Sequence, residues 1–185
     1  MKLSNWLFLS LSLFLLACGS GESGSTDTSK KKENPKKQLK SIKKERTALF
    51  VDESKTADAE TLKDYCLQLE KFCRSFPEHE KTPAMLYEAG SIRGNQLQQY
   101  EQAIYNYQQV FKKYPEHDKA PDALFATAFI YDNIGANYEK AKEHYIQFLE
   151  DYPEHELKAS AVASLRNLGK SPEEMMEEIQ KENSK

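Results

Sequence analysis

The stretch YEQAIYNYQQVFKKYPEH (residues 100–117) recurs 38 residues later as YEKAKEHYIQFLEDYPEH (residues 138–155). A more divergent copy ends in SFPEH at residues 75–79, so three Pro-Glu-His segments follow one another at the same interval. The apolar and aromatic residues shared by the two close copies are three or four positions apart, which predicts one buried face of an α-helix. These shared positions are Tyr100/Tyr138, Ala103/Ala141, Tyr107/Tyr145, Val110/Phe148, Phe111/Leu149 and Tyr114/Tyr152. An internal period of this kind is typical of stacked helical repeats.

The segments between these copies align as well, and they predict a second helix in each unit. TPAMLYEAGSIRGNQL begins at Thr82 and APDALFATAFIYDNIG begins at Ala120. Pro83 and Pro121 suit the first turn of a helix, where the missing N–H group costs nothing. Small residues, Gly90 and Ala128, stand where two helices must approach closely. Each unit is therefore a pair of helices.

This pattern resembles the tetratricopeptide repeat. The positions that carry the resemblance in the better copy are Leu124, Thr127, Ala128, Tyr131, Gly135, Tyr138, Ala141, Tyr145, Phe148 and Pro153. The earlier copy departs from the pattern at Arg93, where an aromatic residue is expected, and at Leu97, where glycine is expected. The 38-residue period also exceeds the usual 34. The resemblance implies an all-α, right-handed solenoid of antiparallel helix pairs over residues 58–168.

Both ends of the repeat region predict further helices. Residues 38–57 are expected to form a leading amphipathic helix and loop, with Leu39, Ile42, Arg46 and Leu49 on one side. Residues 169–185 are expected to form a C-terminal capping helix and tail, since Ser171 and Glu174 make a capping box. Met175, Met176 and Ile179 would then lie over the last repeat as core filling, in preference to a membrane contact.

The first 18 residues, MKLSNWLFLSLSLFLLAC, combine a positive start with a short apolar run. The run is shorter than the roughly 20 residues of a membrane-spanning helix, so residues 1–17 are interpreted as an export signal. Its Leu-Ala-Cys ending resembles a bacterial lipobox, which implies that Cys18 is lipidated and anchors the protein to a membrane. Gly19 after the cysteine resembles the sorting pattern for the outer membrane. The competing interpretations are an ordinary signal peptide and an uncleaved anchor.

Residues 18–37 predict a disordered basic tether, since their first part is rich in Gly, Ser and Thr. From Cys18 to Arg46 there are nine Lys/Arg and four Asp/Glu, a net charge of +5, whereas residues 47–185 carry 16 and 25, a net charge of −9. An exported lipoprotein rarely meets nucleic acid, so no nucleic-acid partner is expected. Attraction to anionic lipids or wall polymers, or a solvated spacer, fits the tether better. The acidic body predicts basic or neutral partner segments.

The histidines and cysteines do not predict a metal site or a disulfide. His79, His117 and His155 would be about 10 Å apart in a solenoid, too far to share one ion. Each is expected to meet the negative end of a helix dipole, and His144 is expected to be exposed. Cys66 and Cys73 lie on one predicted helix with Cα atoms about 10 Å apart, beyond disulfide reach, and are interpreted as packing residues.

The sequence contains no nucleophile elbow, phosphate loop or paired Cys/His motif, so we expect no enzyme activity and no cofactor. The resemblance implies instead that the first helix of each repeat faces a partner peptide. The positions carried over are Tyr87, Ser91 and Asn95 in one repeat and Phe125, Phe129, Asp132 and Asn133 in the next. The competing interpretation buries Tyr87, Phe125 and Phe129 in the core, and for Phe129 the sequence leaves both open.

The long, proline-rich repeats also resemble those of bacterial envelope lipoproteins, such as those of the outer-membrane barrel-assembly machinery and the protein that accompanies the Tol–Pal system. The expected function is a lipid-anchored envelope scaffold or adaptor on the outer membrane, facing the periplasm. The alternative is a structural accessory subunit of an outer-membrane assembly or envelope-constriction complex that uses convex or edge surfaces. An enzyme is the least favoured of the three.

Overall fold

A computed structural model describes residues 34–50 and 57–183, and every regular element in these ranges is an α-helix. The predicted export signal, Cys18 and the predicted tether up to residue 33 lie outside the described residues. The helices are α1 (Pro35–Phe50), α2 (Ala59–Ser75), α3 (Thr82–Asn95), α4 (Tyr100–Lys113), α5 (Lys119–Asn133), α6 (Tyr138–Asp151), α7 (Lys158–Asn167) and α8 (Pro172–Asn183). None of these described helices is long and apolar enough to cross a membrane.

Each helix from α1 to α7 packs against the next, and α3 also packs against α5. Alternate helices therefore form two layers, with α1, α3, α5 and α7 on one side and α2, α4 and α6 on the other. The core is one cluster of buried residues that runs from Ile42 in α1 to Ala161 in α7. The predicted all-α stack of helix pairs is confirmed. The side formed by α1, α3 and α5 is called the first-helix surface below.

The leading helix begins at Pro35, three residues before the predicted start at Gln38. Asn34 explains the earlier start, because its side-chain oxygen accepts a hydrogen bond from the Lys36 N–H at 3.0 Å. Proline suits the position after such a cap, where its missing N–H needs no partner. The last residues assigned to the tether thus belong to α1, and Ile42 buries the predicted apolar side against the body.

Small residues set how closely the two helices of a repeat approach. A Cβ atom added to Gly90 in α3 would lie 2.7 Å from Cε1 of Tyr107, whose ring is buried in α4. Gly94, one turn later on the same helix, has room, since its nearest neighbour would be the Cβ atom of Ala103 at 3.4 Å. The close approach is therefore confined to one turn of α3.

We expect Gly90→Ala and Gly94→Ala to have opposite effects on stability. The first forces a methyl group into the Tyr107 ring and should cost about 1–3 kcal/mol. The second should gain up to about 1 kcal/mol, because alanine is the better helix former and meets no clash. Urea unfolding followed by circular dichroism measures both. A Gly90→Ala protein as stable as the unmodified protein would contradict the close approach.

The three Pro-Glu-His turns share one hydrogen-bond pattern. The N–H groups of His79, His117 and His155 donate to the carbonyl oxygen three residues earlier, at 3.0–3.1 Å. The ring Nδ1 of each histidine accepts an N–H from the residue two positions later, at 3.1–3.3 Å. An accepting Nδ1 carries no proton, so these rings close the turn as acceptors. The expectation that they meet the negative end of a helix dipole is wrong, because their Nδ1 atoms accept N–H groups at the start of the next helix.

The tyrosine before the second and third of these prolines forms a hydrogen bond to the previous repeat. The Tyr114 hydroxyl donates to the Pro77 carbonyl oxygen at 2.9 Å, and the Tyr152 hydroxyl donates to the Pro115 carbonyl oxygen at 3.2 Å. The first copy has Phe76 at this position and therefore has no hydroxyl to donate. The motif links successive turns as well as ending the helices.

Tyr114→Phe should lower the free energy of unfolding by about 0.5–1 kcal/mol, because it removes one hydrogen bond between repeats and leaves the ring in place. The matched control is Tyr105→Phe on α4, the helix that ends just before Tyr114, and the Tyr105 side chain is 62% exposed. That control should stay within about 0.5 kcal/mol of the unmodified protein. Equal effects of the two substitutions in urea unfolding would argue against a stabilising hydrogen bond from Tyr114 to Pro77.

Arg93 replaces the expected aromatic residue and is buried in an ion pair. Its Nε and Nη2 atoms donate to the two carboxylate oxygens of Glu70 at 2.6 and 3.0 Å, and Nη1 donates to Gln99. Asn106 donates to the same Glu70 carboxylate at 2.8 Å. Removing one member of such a network leaves a buried charge without its partner, which is costly. The departure from the repeat pattern thus links α2, α3 and α4.

His144 occupies the place that Asn106 has one repeat earlier, and the prediction that it is exposed is wrong. Its side chain is buried, and its ring lies 6.1 Å from the Phe111 ring and 5.4 Å from the Tyr131 ring, between centroids. The ring Nδ1 is 2.8 Å from the Lys140 carbonyl oxygen. The helical period explains the burial, since the equivalent position in α4 also faces inward.

The turns after α3 and α5 use a left-handed residue that is not glycine. Gln98 has φ 53° and Ala136 has φ 43°, each one position after the expected glycine. Gly135, which was predicted to end the helix, donates its N–H to the Ile130 carbonyl oxygen. Leu97 makes the same bond to Ile92 at 3.1 Å. The absence of glycine at position 97 is therefore compatible with the same turn.

Cys66 and Cys73, the two cysteines that the structure describes, are buried packing residues, as predicted, and both are free thiols. Burial raises the pKa of the Cys66 thiol to about 11 and that of the Cys73 thiol to about 12. Both thiols are thus protonated at neutral pH and fill space in the core.

The C-terminal helix has the predicted capping box but does not bury its methionines. Ser171 N–H donates to the Glu174 carboxylate at 2.7 Å, and Glu174 N–H donates to the Ser171 hydroxyl at 3.2 Å. Met176 is 56% exposed, so its interpretation as core filling is wrong. Between the end of α7 at Asn167 and the start of α8, the chain turns at Gly169, whose φ is +75°.

Candidate partner-binding surface

The first-helix surface contains two neighbouring cavities. One, of about 500 Å³, lies between α3 and α5 and is called the α3–α5 cavity. The other, of about 790 Å³, lies between α1 and α3 and is called the α1–α3 cavity. Tyr87 and Ser91 line both of them, so the two cavities form one continuous groove along the first helices.

The α3–α5 cavity brings together five of the seven residues predicted to bind a partner. They are Tyr87, Ser91, Asn95, Phe125 and Phe129. The rest of the lining is mostly apolar and comes from both layers: Gly94, Tyr100, Tyr107, Ala126, Ile130 and Ile134. Sequence reasoning missed Tyr100 and Tyr107, because the repeat pattern assigns the second helix to the core.

The three aromatic candidates differ in how far their side chains are buried in the core. Phe129 is 47% exposed and lines the cavity, so its side chain is not buried in the core. Phe125 is half-buried, with its ring 5.6 Å from Tyr145 and 5.7 Å from Phe148 between centroids. Tyr87 is also half-buried, beside the Tyr107 ring. Of the three, Phe129 has the most exposed side chain.

Two polar side chains lie on the same wall of the cavity. Asn95 donates from Nδ2 to the Ser91 hydroxyl at 3.2 Å, one turn apart on α3. The Asn95 carboxamide oxygen and the Ser91 hydroxyl can each form a further hydrogen bond with a bound peptide backbone. The cavity thus has the usual composition of a binding site, apolar walls with a few polar groups.

Asp132 and Asn133 do not line the cavity, although the resemblance placed them there. The Tyr145 hydroxyl donates to Asp132 at 3.4 Å, and burial raises the pKa of this carboxyl group. Asn133 donates to the Phe129 carbonyl oxygen at 3.2 Å, at the end of its own helix. Both residues are engaged in local bonds beyond the edge of the cavity.

The α1–α3 cavity is basic, although the body as a whole is acidic. Its lining includes four cations and one carboxylate, Lys43, Arg46, Lys81, Lys119 and Glu88, although Lys81 and Lys119 also pair with Glu80 and Asp122 outside the lining. Glu88 accepts from Arg46 Nε at 2.9 Å and from the Tyr65 hydroxyl at 3.0 Å. Lys119 lies 5.1 Å from the centroid of the Tyr87 ring. The net charge of −9 over residues 47–185 therefore does not predict the charge of a partner segment that would bind at this end of the groove.

Comparison with known families supports the repeat interpretation directly. Residues 84–117 and 122–155 each match the family model of the tetratricopeptide repeat. The chain contains two tetratricopeptide repeats. Each match covers most of one helix pair and ends at the histidine of the Pro-Glu-His turn, so α2 and α7 are helices outside the matched units. Among curated proteins, none matches the chain significantly.

Tetratricopeptide repeats are protein–protein interaction modules, and stacked helix pairs hold partner segments on an extended surface. In this chain the α3–α5 cavity is built entirely from the two matched repeats. Within residues 34–50 and 57–183, no group of three or more His, Cys, Asp or Glu side chains is placed to hold a metal ion. The geometry of the groove suits the binding of a peptide through its apolar side chains and backbone.

Phe125→Asp and Phe129→Asp should differ in their effect on stability, because the Phe125 ring packs against the core and the Phe129 ring is half-exposed. The first places a carboxylate against the Tyr145 and Phe148 rings and should cost about 3 kcal/mol or more. The second changes a half-exposed ring and should cost less than about 1 kcal/mol. Thermal and urea unfolding measure both. A large loss of stability in Phe129→Asp would show that this ring belongs to the core.

Proposed function

We propose that this protein is a non-enzymatic, lipid-anchored scaffold or adaptor of the cell envelope that binds a segment of a partner protein along the first-helix surface. The observation that carries the proposal is the α3–α5 cavity, where Phe129 is half-exposed among apolar walls in the two repeats. Large aromatic groups at the centre of a contact contribute most of the binding energy in protein interfaces.

The binding mode follows from what the cavity presents. An apolar side chain of the partner would sit against Phe129, Phe125 and Tyr87, and burying one such side chain is worth about 1.5–3 kcal/mol. Ser91 and Asn95 would accept or donate hydrogen bonds to the backbone beside it. Because the groove continues into the α1–α3 cavity, a segment several residues long can contact both.

The anchoring part of the proposal rests on the sequence of residues 1–18. The apolar run, the small residue before Cys18 and the following Gly19 support lipidation and placement on the outer membrane, facing the periplasm. Two or more acyl chains hold a protein on a membrane stably, since each buried methylene contributes about 0.8 kcal/mol. Metabolic labelling with palmitate should mark the unmodified protein and not Cys18→Ala.

A photo-crosslinking amino acid at position 129, incorporated in living cells, tests the binding surface. Its matched control is the same amino acid at Ile146, which is 39% exposed on α6 in the other layer. We expect a crosslinked partner from position 129 that is lost when Asn95→Arg is added, and no such product from position 146. A shared set of products from both positions would contradict the groove.

The second candidate function is a structural accessory subunit that uses the opposite layer. A cavity of about 680 Å³ between α2 and α4, with the 62% exposed Tyr105 in its wall, supports this candidate. Crosslinks from position 105 or 146 in the absence of any from position 129 would favour it over the adaptor.

A further inference from the structure

The C-terminal helix α8 is an amphipathic, acidic helix whose two methionines are not buried in the core of its own chain. Its sequence, PEEMMEEIQKEN, has five glutamates and one lysine. Among its described side chains none is buried, Met175 is half-buried, and Met176 is 56% exposed. Met176 is thus an exposed, flexible apolar side chain among charged ones, a type of residue common at protein-binding surfaces.

The α1–α3 cavity is complementary to this helix in both polarity and charge. Its apolar wall includes Leu39, Met85 and Phe50, the last of which is 42% exposed. Its rim carries the cations Lys43 and Lys81. At 790 Å³ it is the larger cavity of the groove, and it lies at the opposite end of the stack from α8.

We propose that α8 of a second copy of this chain docks in the α1–α3 cavity, with Met175 and Met176 against its apolar wall and the α8 glutamates facing Lys43 and Lys81. Opposite charges across such a contact fix the orientation of the helix and speed association. This goes beyond the proposed function and does not depend on it, because the occupant is the protein itself.

The helix reaches a neighbouring copy and not its own cavity. Residues Leu168–Ser171 between α7 and α8 span at most about 14 Å when extended. The α1–α3 cavity lies about 25 Å from α7, since α5 and α3 stand between them at helix-packing distances. Lys170 also holds the base of α8, with Nζ 2.6 and 2.8 Å from the Glu178 carboxylate oxygens. Reciprocal exchange between two copies closes the assembly as a dimer.

The test measures the mass in solution of residues 34–185, which include the whole buried core from Ile42 to Ala161 and therefore should fold alone. Light scattering and sedimentation equilibrium between 1 and roughly 500 µM should show a monomer–dimer equilibrium, as expected for a contact of one helix. Met175→Asp/Met176→Asp should weaken the dimer at least about a hundredfold by charging the apolar side of α8. A protein that is monomeric throughout this range overturns the proposal.

Charge reversal identifies the two surfaces. Lys43→Glu/Lys81→Glu in the cavity and Glu173→Lys/Glu177→Lys on α8 should each weaken the dimer at least about tenfold. Combining all four reversals, or mixing the two variants, should restore it. Lys113→Glu/Lys142→Glu, which changes the same charge on exposed lysines of α4 and α6, is the matched control and should not weaken it.

A dimer that survives the methionine substitutions, or reversals that do not rescue each other, would overturn the assignment of α8 to this cavity. The adaptor proposal has a separate readout, the crosslink from position 129 in the α3–α5 cavity. A monomeric protein that still gives this crosslink would overturn the dimer alone. A dimer without the crosslink would overturn the adaptor alone.

Discussion

The distance between the two helices of a repeat is the constraint on which the rest of this structure depends. A tyrosine from the second helix, Tyr107, lies against Gly90 on the first so closely that a methyl group would not fit. In the next repeat the equivalent pair is Tyr145 and Ala128, and both are fully buried. Because these rings fill the space between the layers, they fix where the first helices stand. The groove is the outer side of that arrangement, and Tyr107 belongs to its lining as well as to the core.

The two repeats solve the packing between second helices in different ways. One uses a buried ion pair of Arg93 with Glu70, joined by Asn106. The other uses His144 between the Phe111 and Tyr131 rings. A buried ion pair often adds little net stability, since the loss of hydration offsets the attraction. We attribute to it a role in alignment, because a forked pair with two further bonds, to Gln99 and from Asn106, tolerates little displacement of α2, α3 and α4 relative to one another.

The sequence predicted those features that depend on neighbours at the 38-residue period or on contacts within one turn. The helix pairs, the small residue at Gly90 and the capping box of Ser171 are of this kind. Prediction from the sequence failed where the burial of a residue or the charge of a surface depends on packing between distant helices. The burial of His144 requires the ring of Phe111 on another helix, and the basic lining next to Glu88 requires α1, α3 and α5 together. In the candidate site, Phe129 was found by its register, whereas Tyr100 was missed because the pattern assigns it to the core.

The sharing of Tyr87 and Ser91 by both cavities has a consequence for binding. A ligand in either cavity that moves the Tyr87 ring changes the free energy of binding in the other, because the same side chain forms part of both walls. Such coupling is reciprocal: whatever factor a partner in the α3–α5 cavity imposes on the docking of α8, the docked helix imposes on the partner. Lys119 strengthens this coupling, since it lies over the Tyr87 ring and is paired with Asp122 at 2.7 Å. Any movement of that ring must also disturb this lysine, which lines the basic cavity. Tyr87 is therefore the residue through which self-association and partner binding would compete or cooperate.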